Sequence, residues 1–202
     1  MVSSGDIILC SSEHAVAEAV RDLPHGMSLA FVRTASKLCA DIRWLEFERE
    51  ILCSAGFKIT DITDLNRDAE QVLAKSDCIF IGGGNTFFLL HELRKARFDT
   101  LLIHWHQTGK ILIGESAGAL VLGPTIEPIR FIDEPEKAPE LSNFAGLNIV
   151  TFFPAVHFGR PEFAEQYSCI SQSAFTLKIP MLTLRDADSA IISQGKIELR
   201  TA

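Results

Sequence analysis

The chain has no basic surplus, no membrane-length apolar run and no paired-cysteine motif, and each absence excludes something. Its 19 lysines and arginines face 26 aspartates and glutamates, for a net charge of −7. That balance leaves no electrostatic footprint for nucleic acid or an anionic membrane, so neither is expected as a partner. No apolar stretch approaches the roughly 18 residues that a bilayer span needs. Residues 1–6 lack basic side chains, and the apolar run after them is too short for a signal peptide. The five cysteines (Cys10, Cys39, Cys53, Cys78, Cys169) form no CxxC pair. An odd, unpatterned set predicts reduced thiols and a cytoplasmic address.

What is present is ordinary for a globular protein: 47% hydrophobic and 22% charged residues, which excludes a disordered chain. A length of 202 residues suits one well-buried domain and is short for two, so one domain over 1–202 is expected. Short β-like runs alternate with helix-like segments. Strands are predicted at 7–10, 28–33, 57–62, 78–81 and 110–113, with helices over 12–21, 41–55, 66–75, 86–97 and 99–107. Brief apolar strands separated by helices predict an α/β fold, a doubly wound, mostly parallel sheet covered on both faces. Residues 124–139, with four prolines and an acidic run, read as a long surface loop. Strand character returns at 147–153 and 181–184, and 190–199 reads as a closing hairpin.

The strongest chemical signal is Gly114-Glu115-Ser116-Ala117-Gly118, a G-x-S-x-G between a predicted strand and an apolar helix. In that context the motif forms a nucleophile elbow. The serine sits in a strained turn, and glycines on either side let strand and helix approach. The helix start leaves N–H groups free, so the Ala117 amide can hold a developing oxyanion. A second signal is Gly82-Gly83-Gly84-Asn85-Thr86, also at a strand end before a helix. It lacks the third glycine of a dinucleotide fingerprint and the Gly-Lys-Ser/Thr of a P-loop. Its better use is a second oxyanion donor, Gly84 or Gly83, with Asn85 a candidate for substrate binding.

A serine nucleophile needs a base. His14 and His91 fall inside predicted helices, and His104 and His106 are two apart on another, where they share no face for a metal. No metal site is expected. His157 follows a predicted strand and precedes Phe-Gly-Arg-Pro, a strand-end loop, and is the natural general base. Arg160, three residues further on, suits a substrate carboxylate.

These segments together resemble the serine-type aspartyl dipeptidases, the dipeptidase E family, whose wider relatives include the cyanophycinases. The resemblance rests on Gly82–Phe87 (GGGNTF), Gly114–Ala119 (GESAGA), Pro124-Thr125-Ile126 and His157-Phe158, in that order and over essentially the whole chain. It implies a fold similar to class I glutamine amidotransferases. It also implies cofactor-free hydrolysis of short peptides with N-terminal aspartate, Ser116 matching the family nucleophile and His157 the base. For the third member, Asp186 aligns with a family glutamate, and Asp133 with a family aspartate proposed for the relay. Asp186 is preferred because it ends an apolar strand, with Asp188 as the fallback. Glu115 stands where family members often carry tryptophan. The sequence leaves open a small esterase or amidase, a non-catalytic binding module of the same fold, and a homo-oligomer.

Overall fold

The first strand, β1 (Ile7–Cys10), is buried along its whole length and lies near the middle of a sheet. Its alternating side chains serve two cores: Ile7 and Leu9 face one, Ile8 and Cys10 the other. The computed structural model describes residues 5–202. Among them, β1, β2 (Ser28–Val32), β3 (Lys58–Ile62), β4 (Cys78–Ile81), β5 (Ile111–Glu115), β8 (Asp188–Ser193) and β9 (Lys196–Thr201) form one sheet in the order β3-β2-β4-β5-β1-β8-β9. The pairings from β3 through to β1 are parallel, while β8 and β9 close the far edge antiparallel. A separate parallel pair, β6 (Phe153–Ala155) and β7 (Met181–Thr183), stands beside it.

Helices cover both faces, as the doubly wound reading requires. On one side α1 (Glu13–Val20) buries Ala15, Val16 and Ala19, and α2 (Arg43–Ser54) buries Leu45 and Leu52. On the other lie α3 (Arg67–Lys75), α4 (Thr86–Lys95), α5 (Phe98–Gln107), the short α6 (Ala117–Val121) and α7 (Ala164–Thr176). The starts of α1, α3 and α4 are capped by Ser12, Asn66 and Asn85, whose side-chain oxygens accept otherwise unpaired amides of the first turn. The cysteines are all unpaired. Among the described residues no helix is long and apolar enough to cross a membrane.

Two expectations need correction. The strand expected at 147–153 is absent except for its last residue, Phe153. Leu147, Asn148, Ile149 and Val150 instead donate their amides to Val121, Gly123 and Leu122 carbonyls at the end of α6. Their apolar side chains anchor a loop, and their backbone satisfies the helix's orphan acceptors. In addition, α7 went unpredicted. Its buried residues, Tyr167, Ile170 and Ala174, form a thin stripe on an otherwise polar segment.

Candidate active site

The sheet order reverses around β4, β5 and β1, and the carboxyl ends of these strands deliver the candidate residues to one edge. Ser116 follows β5 directly with φ 49° and ψ −111°, a backbone state that L-residues rarely occupy. The chain must bend there because α6 packs tightly back on β4 and β5. A Cβ on Gly118 would lie 1.9 Å from the Ile81 carbonyl oxygen, and one on Gly114 would lie 2.6 Å from the Gly118 oxygen. Only glycine fits at either position, which is why the motif has them.

Ser116 Oγ lies 3.0 Å from His157 Nε2, and His157 Nδ1 lies 2.8 Å from Asp186 Oδ1. The opposite carboxylate oxygen, Asp186 Oδ2, accepts from Arg160 Nε at 2.7 Å. His157 also has a positive φ, 59°. Its amide donates to Ser11 Oγ at 2.7 Å, and Ser11 in turn donates to the Leu184 carbonyl. Ser12 Oγ donates to the Asp186 carbonyl at 2.9 Å. Tyr167 of α7 donates to the carbonyl of Val156, which precedes the histidine. The loops that carry the base and the acid are thus held to the end of β1 and to α7.

Burial pushes the His157 imidazole below its ordinary value; the Asp186 contact opposes this, and the nearby Arg160 charge adds to it. Burial works to raise Asp186, but hydrogen bonds from Arg160 and His157 outweigh it and hold the carboxyl below its usual range. The imidazole is therefore neutral near pH 7, with an ionised carboxylate behind it. That arrangement suits removal of a proton from Ser116.

The other candidates separate. Asp133 Oδ2 accepts from the Thr86 amide at 2.8 Å and the Thr86 hydroxyl at 2.5 Å, at the start of α4, and does not touch the imidazole. Asp188 pairs with Arg185 and Thr201. Asn85 lines the cleft, but its Oδ1 caps α4 and its Nδ2 donates to the Glu134 carbonyl, so its polar atoms hold the chain together. Arg160 also lines the cleft, with its Nε committed to Asp186. Of the oxyanion candidates, the amides of Gly84 and Ala117 make no hydrogen bond among the described residues, whereas the Gly83 amide serves Glu115.

Sequence reasoning missed Glu48. It stands on the apolar stripe of α2 between Leu45 and Leu52, fully buried, and its carboxyl meets that of Glu115. The i, i+3, i+7 spacing of Leu45, Glu48 and Leu52 was the available signal. The cleft over Ser116 has a volume of about 510 Å³ and carries both signs of charge: Arg160 and Lys137 against Glu13 and Glu134.

A serine elbow beside a histidine, on a mostly parallel α/β sheet, is a layout that several classes of hydrolase share. The chain belongs to peptidase family S51, whose model matches residues 1–200. It is 34% identical over 141 residues to an uncharacterised peptidase of Listeria innocua, covering 68% of each chain. Over 100 residues it is 41% identical to a peptidase E of a Shewanella species (strain ANA-3), covering 48% of this chain and 41% of that one. Among solved structures, a candidate peptidase E from Listeria monocytogenes EGD-e superposes with a TM-score of 0.87 at 28% identity, over 98% of both chains. A peptidase from an acI-B1 actinobacterium shares the fold at a TM-score of 0.69 and 16% identity, over 99% of this chain and 88% of that one.

Proposed function

We propose that this peptidase is a serine-type dipeptidase that cleaves short peptides after an N-terminal aspartate, through Ser116, His157 and Asp186. The observation that carries the reading is the unbroken hydrogen-bonded chain from Ser116 Oγ through both imidazole nitrogens to Asp186. His157 Nε2 takes the Ser116 proton as Oγ attacks the scissile carbonyl, and the amides of Ala117 and Gly84 receive the oxyanion. Asp186 fixes the tautomer and stabilises the imidazolium. His157 then protonates the leaving amine, and water attacks the acyl-enzyme by the same route in reverse.

The chain order Ser, His, Asp speaks against the esterase alternative, because α/β-hydrolases run Ser, acid, His. Mixed charge in the cleft supports the substrate class. An N-terminal aspartate carries one ammonium and one side-chain carboxylate, and the terminal nitrogens of Arg160 suit the latter. Asp-X, Glu-X, Asn-X and Ala-X dipeptides assayed on wild type and Ser116→Ala test the reading. Hydrolysis of Asp-X that disappears in Ser116→Ala supports it. Activity retained by Ser116→Ala would overturn the nucleophile, and a preference for Ala-X over Asp-X would overturn the specificity.

A further inference from the structure

Glu115 is the last residue of β5 and the immediate neighbour of Ser116, yet it is only 3% exposed and forms part of the cleft wall. Glu48 stands behind it. Neither oxygen of Glu48, nor Oε2 of Glu115, meets an N–H or O–H donor elsewhere among the described residues. The two carboxyls interact with each other, and a hydrogen bond between them requires a proton on one. As a structural device this is a poor choice, since apolar side chains of similar volume stabilise a core as well or better. Arg160 acts on Glu115 only through space, its Nε being held by Asp186. Glu115 accepts the Gly83 amide but bonds no cation among the described residues, so its carboxyl in the cleft wall is a candidate receptor for a cation.

Geometry says which cation. A Cβ placed on Gly83 would lie 2.5 Å from Glu115 Oε2 and 3.0 Å from Ser116 Cβ, so the carboxyl and the nucleophile's side chain both pack against the same side of Gly83. In an N-terminal residue the amine nitrogen lies about 2.5 Å from that residue's own carbonyl carbon, a distance fixed by two bonds and the angle between them. Bringing the carbonyl to Ser116 Oγ therefore keeps the ammonium within reach of the wall beside Ser116, whatever the side chain. An internal residue would present a neutral amide there.

We propose that Glu115, backed by Glu48, is the receptor for the α-ammonium of the substrate, so that the enzyme reads a free N-terminus on the residue it cleaves. The proposal rests on the peptidase reading above and gives the position before the nucleophile a specificity role. Binding is coupled to a proton. Burial pushes Glu48 well up and Glu115 up to about 8, so both are protonated near neutrality in the free cleft. The groups facing the pair are Glu13 on α1, Cys10 on β1 and Arg160; Glu13 raises Glu115 further and Arg160 lowers it. The arriving ammonium displaces the Glu115 proton to solvent. Glu48 keeps its own proton and donates it in a hydrogen bond to the new carboxylate.

Asp-Leu and succinyl-Leu, which differ only in the α-amine, test this on wild type and Glu115→Gln. Wild type is expected to favour Asp-Leu in kcat/KM by roughly 10- to 100-fold, the range for a hydrogen bond to a charged group. Glu115→Gln loses that preference through Asp-Leu alone. Equal cleavage of both peptides by wild type overturns the proposal and leaves the peptidase reading standing. If wild type cleaves neither, the aspartyl-dipeptidase reading fails, and the receptor is read by binding instead. Aspartic acid α-amide added to Ser116→Ala in weak buffer near pH 7 should release a proton, and should release none in the Ser116→Ala/Glu115→Gln double variant. No release from Ser116→Ala overturns the proposal. Should Glu115→Gln fail to fold, Glu115→Ala, which removes the carboxyl without adding a polar group, takes its place and should lose the same preference. A preference retained by that variant overturns the proposal.

Discussion

Arg160 and His157 grip opposite oxygens of Asp186, at 2.7 and 2.8 Å. In the proposed mechanism the arginine therefore orients the acid that orients the base. Arg160→Met should lower kcat on Ala-X by roughly tenfold, the scale of one lost charge-assisted hydrogen bond, and lower Asp-X further. The Arg160 charge also holds the imidazole down, so its removal should move the acid limb of the pH profile upward. A loss confined to Asp-X with an unmoved limb would make Arg160 a substrate contact alone.

Asp186→Asn should lower kcat by roughly 10² or more, because the amide leaves the imidazolium without its counter-charge. Asp133→Asn should do less to kcat and more to stability, since it weakens the acceptor of the Thr86 amide and hydroxyl. Steady-state kinetics beside thermal melts separate the two. The reverse ranking would transfer the acid role to Asp133.

Phosphonylation of Ser116 by a neutral fluorophosphonate reports the base without involving the ammonium receptor. Burial depresses His157, so the neutral, proton-accepting form persists below the ordinary 6.5 and is lost only as pH falls through the lowered value. The labelling rate should be flat across neutrality, with its acid limb below pH 6.5. A midpoint above 7 would show that the Asp186 contact outweighs burial.

At Ser116 the strain belongs to the backbone, not to the hydroxyl. Ser116→Ala keeps a Cβ at φ 49°, ψ −111° and should leave Tm close to wild type while abolishing hydrolysis. Ser116→Gly relieves a strain of about 1–3 kcal/mol against a smaller entropic loss. It should therefore melt above Ser116→Ala, and equal melting temperatures would argue that the elbow is unstrained.

Gly118→Ala should cost about 3 kcal/mol or more, because its methyl meets the Ile81 carbonyl and not a side chain that can yield. Gly159→Ala has open space around it and only a φ of +88° to oppose it, so it should cost about 1 kcal/mol. Denaturant melts of the two variants give the comparison.

The parallel strands were legible because each is a short apolar run bounded by polar turns, and the elbow because strand, glycine and helix follow one another within a few residues. Leu147 to Val150 deceived for a physical reason: an apolar run is equally good at anchoring a loop to a helix end, and periodicity over four residues cannot distinguish the two. At the site, Ser116 and His157 could be named from their local setting. The Arg160–Asp186 contact could not, since it depends on how two loops meet across 26 residues of chain. Glu48 was hidden by its neighbours, Glu46 and Glu50, which make the segment look like a solvated face.

Ser11 and Ser12, directly after β1, hold the amide of His157 and the carbonyls of Leu184 and Asp186, residues more than 140 positions away in sequence. A nascent or partly unfolded chain can display the elbow but has neither base nor acid beside it. On the proposed mechanism, hydrolytic competence requires the last third of the polypeptide to be docked against the first strand. On that mechanism a misfolded copy that exposes Ser116 is inert toward the peptides around it.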